Sequence, residues 1–186
     1  NVRLLDHLFD FDEIRVHSRR PESRDAFGER LSQDLGKKVI VTDNWKDCLE
    51  GADILVEASR LPKPEPLFLT EWIKPGAFVV PYGTMSAVEF SLTDIMSKVV
   101  VDDWEQCKPG RPYGALRRHV DEGKVTAENL HAELGQIVAG LKPGRQSDKE
   151  TNLFWHRGLS LSDIALGAAM LGKARTMGLG QTLRFA

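Results

Sequence analysis

Glu13-Ile14-Arg15-Val16-His17-Ser18-Arg19-Arg20-Pro21-Glu22 is the stretch that decides how the chain is read. Ile14-Arg15-Val16 is a short β-branched strand. Pro21 and Glu22 open a helix, because proline lacks the N–H that a first turn leaves unpaired and a carboxylate suits the positive helix end. Between the two stand Ser18, Arg19 and Arg20. In a βαβ unit that binds a dinucleotide, the end of the second strand meets the adenosine ribose. An acidic residue there accepts from a free 2′-hydroxyl, whereas a guanidinium matches a 2′-phosphate. Ser18, Arg19 and Arg20 fit the phosphate, which favours NADP(H) and leaves NAD(H) possible. The plainer alternative is a pair of solvated surface arginines. On the dinucleotide reading a first strand and its glycine-rich turn belong just upstream, yet the chain opens inside what reads as the first helix.

Working outward, Val2-Arg3-Leu4-Leu5-Asp6-His7-Leu8-Phe9 places apolar residues a helical turn apart. Pro21 to about Leu35 is the next helix, with Gly36 past its end. Val39-Ile40-Val41 is a strand, and Asn44 N-caps a short helix through Leu49. Further strands are expected at Asp53–Ala58, at Ala77–Val80 after the turn Lys74-Pro75-Gly76, and at Val99–Asp102 after a helix near Ser91 to Ser97. Near-continuous apolar strands between helices mark a parallel sheet covered on both faces. The fold class is therefore α/β, a doubly wound, mostly parallel, Rossmann-like sheet that is incomplete at the N-terminus and followed by C-terminal helices. Its five expected strands run from Glu13 to Asp103. Beyond them, Gly110 to Gly114 reads as a loop, His131 to Gly140 as a short helix and Gly144 to Lys149 as a polar segment. Ser160 to Met177 reads as a long helix that Ser160 or Ser162 could cap. The expected division is 1–145 for a partial NAD(P)-binding domain and 146–186 for a helix and tail returning toward a dimerisation and substrate domain.

With 186 residues, 41% of them hydrophobic and 28% charged, the chain has an ordinary globular balance. A net charge of −2 gives no reason to expect nucleic acid, and no apolar run approaches the ~20 residues of a membrane span. Cys48 and Cys107 stand in unrelated contexts, which suits a reducing cytoplasm better than a disulfide scaffold. No His, Cys, Asp or Glu group has metal-ligand spacing.

Several blocks are familiar in their order: Arg15 to Glu22, Gly51-Ala52-Asp53-Ile54-Leu55-Val56, Trp72-Ile73-Lys74-Pro75-Gly76-Ala77, Ala132-Glu133-Leu134-Gly135-Gln136-Ile137, and Asn152 to Asp163 as a helix-entry segment. Together they resemble the ornithine cyclodeaminase/mu-crystallin family over essentially the whole chain. The resemblance implies an NAD(P)-binding domain joined to a substrate domain built mostly from preceding sequence, with a homodimer as the full-length form. It implies chemistry on a small imine, imino acid or amino acid. Three departures narrow that chemistry. Where many relatives present a catalytic aspartate, this chain has Gly83-Thr84-Met85. Glu89 replaces a lysine associated with the cofactor, and His156 replaces a serine near the nicotinamide. Loss of the aspartate argues against cyclodeamination more than against reduction. The leading expectation is an NADPH-dependent reductase, or an amino-acid dehydrogenase working in reverse. The alternative is a non-catalytic nucleotide-binding subunit, mu-crystallin-like or associated with an amine oxidase, and ornithine cyclodeaminase itself comes third.

The remaining candidates lie at strand ends, where open α/β sheets bind ligands. Short side chains at Ala58 and Ser59 let the backbone approach a cofactor, the alternative being an ordinary turn before Pro62. Tyr82, Gly83, Thr84 and Met85 are placed beside the nicotinamide, although a methionine more often fills core space. His156 is the candidate for proton transfer, because an unperturbed imidazole titrates near ~6.5; the alternative is a structural histidine. Asp102 and Asp103 read first as caps for the helix after their strand, the alternative being an acidic pair that orients the cofactor loop.

Overall fold

The computed structural model describes residues 2–83 and 85–184. Seven strands and seven α-helices alternate along them. β1 (Glu13–Val16) and β2 (Lys38–Val41) form a two-stranded parallel sheet. β3 (Ile54–Glu57), β4 (Phe78–Pro81), β5 (Lys98–Val101), β6 (Ala132–Glu133) and β7 (Asn152–Trp155) form a five-stranded one in the order β3-β4-β7-β5-β6, all parallel. This is the parallel α/β fold expected from the apolar runs.

Local signals explain the elements they predicted. α2 (Pro21–Leu35) has proline in its first turn and ends where Gly36 turns left-handed at φ 63°, its N–H returning to the Ser32 carbonyl at 3.0 Å. Gly28 lets α2 lie close on β1 and β2, since a Cβ there would collide with a Val41 methyl group. α3 (Trp45–Leu49) is capped by Asn44, whose side-chain oxygen accepts from the Asp47 N–H at 2.8 Å. The core sits beneath the larger sheet: Leu55, Val79, Val101, Leu153 and Trp155 from its strands meet Phe68, Leu92 and Leu116 from the covering segments.

Four expectations change. Asn152–Trp155, read as a helix entry, is β7, and it lies in the middle of the sheet between β4 and β5. The sheet thus draws a strand from beyond residue 145. The segment from His131 begins as β6 before α6 (Leu134–Val138), because Glu133 caps that helix through its bond with Gln136 and so must be extended. Residues near Ser91 form a tighter 3-10 helix, Phe90–Ile95. α7 (Ser160–Thr176) starts without a side-chain cap, since Ser160 is already its first residue. No residue of α7 is buried, although Leu161, Ile164, Leu166, Met170 and Leu171 are apolar.

Two strand edges remain unpaired toward each other. β1 and β3 belong to separate sheets, and both line one cleft of about 1470 Å³. The remaining helices are α1 (Val2–Asp6), α4 (Trp104–Cys107) and α5 (Arg117–Asp121).

Candidate functional site

The carboxyl ends of β1 and β3 bring Ser18, Arg19, Arg20, Ala58 and Ser59 into the lining of that cleft. Arg20 is the extended residue immediately before α2, so the three residues of the Ser-Arg-Arg turn stand at the N-terminus of a fifteen-residue helix. Unpaired N–H groups and the helix dipole favour an anion there. Arg19 and Arg20 are exposed, and Ser18 is half-buried. Arg19 reaches across to Glu65 on the segment after β3, with Nη2 to Oε2 at 3.3 Å. Both side chains stay about half in water (58% and 49% exposed), so the pair is weakly held and open to exchange.

Buried Glu57, the last residue of β3, ties this wall to the next strand. Its carboxylate accepts from the Ser59 N–H at 2.6 Å, from the Ser59 hydroxyl, and from the Gly83 N–H at 2.9 Å. Gly83 has no room for a side chain, because a Cβ would collide with that carboxylate. One acidic group thereby fixes the turns that follow both β3 and β4. The sequence contained a signal for it, an acidic residue closing the apolar run Ile54-Leu55-Val56, but gave it no partner.

Tyr82, at the end of β4, is 43% exposed and packs its ring 4.8 Å from that of His156, just past β7. Phe154 lies on the ring's other neighbourhood at 5.5 Å. Met85 is half-buried and packs against the hydrophobic core. Thr84 lies outside the described residues. Tyr82, Gly83, Met85 and His156 are not part of the cleft lining; Tyr82 and His156 pair with each other, and Gly83 is tied to the cleft wall through Glu57.

The expected cap roles at the end of β5 divide. Asp103 caps α4, its Oδ1 accepting from the Glu105 N–H at 2.8 Å. Asp102 does not cap α4. Its buried carboxylate accepts from Arg157 N–H at 2.8 Å and Gly158 N–H at 2.6 Å, and stands 3.1 Å from His156 Nδ1. Glu89, in the place of a lysine, binds the Thr70 N–H at 2.7 Å, and that bond holds its carboxyl below the usual carboxylate range. Two other histidines serve the structure. His17 Nδ1 meets the Thr42 carbonyl at 2.8 Å, and His131 Nε2 meets that of Pro143 at 2.9 Å. Among the described residues no group of three or more His, Cys, Asp or Glu is placed to hold a metal ion, and no helix is long and apolar enough to cross a membrane.

Parallel strands, helices between them and polar groups gathered at the strands' carboxyl ends define a Rossmann-like α/β domain. The chain belongs to the ornithine cyclodeaminase/mu-crystallin family, whose model matches residues 1–176. It is 28% identical over 188 residues to alanine dehydrogenase of Archaeoglobus fulgidus, covering 99% of this chain and 56% of that protein. It is 29% identical to Delta(1)-pyrroline-2-carboxylate reductase of Bacillus cereus, covering 95% and 54%. Its fold superposes on an archaeal alanine dehydrogenase dimer with bound NAD at a TM-score of 0.85 and 26% identity, over 100% of this chain and 56% of that one. The chain spans about half the length of the curated relatives it matches.

Proposed function

We propose that the chain is the nucleotide-binding part of an NADPH-dependent reductase acting on a small imine or imino acid, or of an amino-acid dehydrogenase running the same reaction in reverse. The observation that carries it is the convergence of Ser18, Arg19 and Arg20 with Ala58 and Ser59 on one cleft at the N-terminus of α2. The residues present fit the adenosine end of a phosphorylated dinucleotide. Arg19 and Arg20 can fork onto a 2′-phosphate through paired charge-assisted bonds, while Ala58 and Ser59 keep the facing wall low. The named activities of the alanine dehydrogenase and pyrroline-carboxylate reductase relatives support the reaction class.

When bound, a reduced nicotinamide dinucleotide supplies hydride to the carbon of a C=N bond. This chain's own part is to grip the phosphate at residues 18–20, to hold the turns at Ser59 and Gly83 through Glu57, and to carry a proton at His156. Two structural features fit a larger protein. β1 and β3 belong to separate sheets and line one cleft, where a strand bearing a glycine-rich turn would join them. The apolar, uncovered α7 and the residues after it would return to a substrate and dimerisation domain.

Binding of adenosine 2′,5′-bisphosphate and of AMP to the chain, measured by calorimetry, tests the phosphate site. Arg19→Ala with Arg20→Ala should weaken the bisphosphate by roughly tenfold or more and AMP by about twofold or less. Equal weakening would remove the phosphate reading. A protein extended to the length of its relatives should oxidise NADPH in the presence of cyclic or linear imines. NADPH binding with no turnover across such a panel would favour the non-catalytic reading, which the replacement of a catalytic aspartate by Met85 also favours.

A further inference from the structure

We propose that Asp102 is a positioning residue for His156, holding the neutral imidazole as its Nδ1–H tautomer and leaving Nε2 as the nitrogen that exchanges a proton with a ligand. This rests on the reductase reading for its purpose and on the geometry alone for its existence. Asp102 follows β5 and His156 follows β7, neighbouring parallel strands in register from Lys98–Asn152 to Val101–Trp155, so the register itself sets the two residues side by side. The Asp102 side chain is 1% exposed. It is fixed before any ligand arrives, since Oδ1 accepts from the Asp103 N–H at 3.0 Å while Oδ2 accepts from Arg157 and Gly158.

His156 Nδ1 is buried and completes no hydrogen bond among the described residues. Asp102 Oδ2 stands 3.1 Å from it, at bonding distance but without the alignment of a formed bond. A proton on Nδ1 satisfies both atoms. Without it, the nitrogen lone pair faces a carboxylate in a dry site, an arrangement of two acceptors with no donor. Of the charged groups beside the pair, the Arg157 guanidinium is turned away onto the Pro112 and Tyr113 carbonyls, and the Asp103 carboxylate caps α4. Tyr82 and Phe154 flank the ring and restrict its tilt. Nε2, across the ring, is left to a ligand. In the reductive direction an imidazolium gives its Nε2 proton to the substrate nitrogen and ends as the Nδ1–H form that Asp102 holds. In the oxidative direction Nε2 receives that proton. An acidic residue orienting an imidazole in this way is a recurrent device of acid–base catalysis.

The test is the tautomer, read from long-range ¹H–¹⁵N spectra of the chain labelled with ¹⁵N-histidine at about pH 8, where an unperturbed imidazole is neutral. A His156→Gln variant assigns the signal among the five histidines. The expected result is Nδ1–H in roughly tenfold excess or more over Nε2–H, the ratio that a charge-assisted bond of ordinary strength produces. Asp102→Ala should abolish that excess while the backbone amide spectrum stays that of a folded chain, a change that a purely structural role for Asp102 would not produce. Should that variant fail to fold, the wild-type ratio decides alone. Wild-type His156 with its neutral proton on Nε2, or a folded Asp102→Ala chain with an unchanged ratio, would overturn the proposal. The expected tautomer in an extended protein that reduces no imine would sink the reductase reading and leave the pairing intact.

Discussion

Replacing Glu57 by leucine should destabilise the chain by about 2–4 kcal/mol, most of it lost at Gly83. Exchanging a buried ionic group for an apolar one is often neutral when its partners leave with it. Here the partners are backbone N–H groups that stay behind. Gly83 is buried, so its N–H, now 2.9 Å from the carboxylate, would have no acceptor; an orphaned donor of that kind costs about 1–3 kcal/mol. Ser59 is half-buried and recovers water, so its N–H and hydroxyl add less. In a domain of this size each kcal/mol moves the melting temperature by about 2–4 °C, which places the expected drop at roughly 5–15 °C. Glu57→Gln keeps the volume and one acceptor oxygen and should cost about half as much. Urea unfolding followed by tryptophan fluorescence measures both, because Trp155 is buried in the same sheet. A leucine variant within about 1 kcal/mol of wild type, or a glutamine variant equally damaging, would refute the claim that this carboxylate fixes the two turns.

Two titratable groups outside the site give further expectations. His119 is 1% exposed beside Phe90, neither ring nitrogen has a partner in bonding geometry among the described residues, and burial pushes its pKa below the ordinary value. Below about pH 6.5 the unfolded chain therefore takes up a proton that the native one refuses, and stability falls by up to ~1.4 kcal/mol per pH unit until native His119 itself titrates. Urea midpoints between about pH 7.5 and 5 should show this slope in wild type and a shallower one in His119→Leu; identical slopes would exclude His119 as the cause. Cys107 is fully buried, and burial, followed by the charge of Asp102, pushes its thiol up to about 12. It should escape iodoacetamide in the native chain while half-buried Cys48 reacts slowly, as peptide mass spectrometry would show. Labelling of both at one rate would contradict the burial.

What the sequence disclosed depended on how far each residue's partners lie along the chain. α2 was legible because Pro21, Glu22 and Gly36 act within a turn of their own positions. β3, β4 and β5 were legible as apolar runs. β7 was not, because Asn152-Leu153-Phe154-Trp155 was read as the entry to the long helix that follows, and its parallel partners begin at Phe78 and Lys98. The site divides the same way. Ser18, Arg19, Arg20, Ala58 and Ser59 were read as candidates from their position after strands, and they share one cleft. Glu57 and Glu65 were not read as candidates, and Asp102 was read first as a helix cap. Their roles consist of contacts to Gly83, Arg19 and Gly158, 26 to 56 residues away, and local pattern carries no trace of those.

The insertion of β7 between β4 and β5 also sets a timetable for synthesis. As the chain leaves a ribosome, residues 78–81 and 98–101 are complete long before the strand that joins them, so neither can pair with the other in native register. Some fifty further residues must emerge first. A nascent chain stopped short of Asn152 would hold two apolar strands with bare edges, a state prone to associate with other chains. The middle of this sheet is the last part to be delivered, and assembly must wait for it.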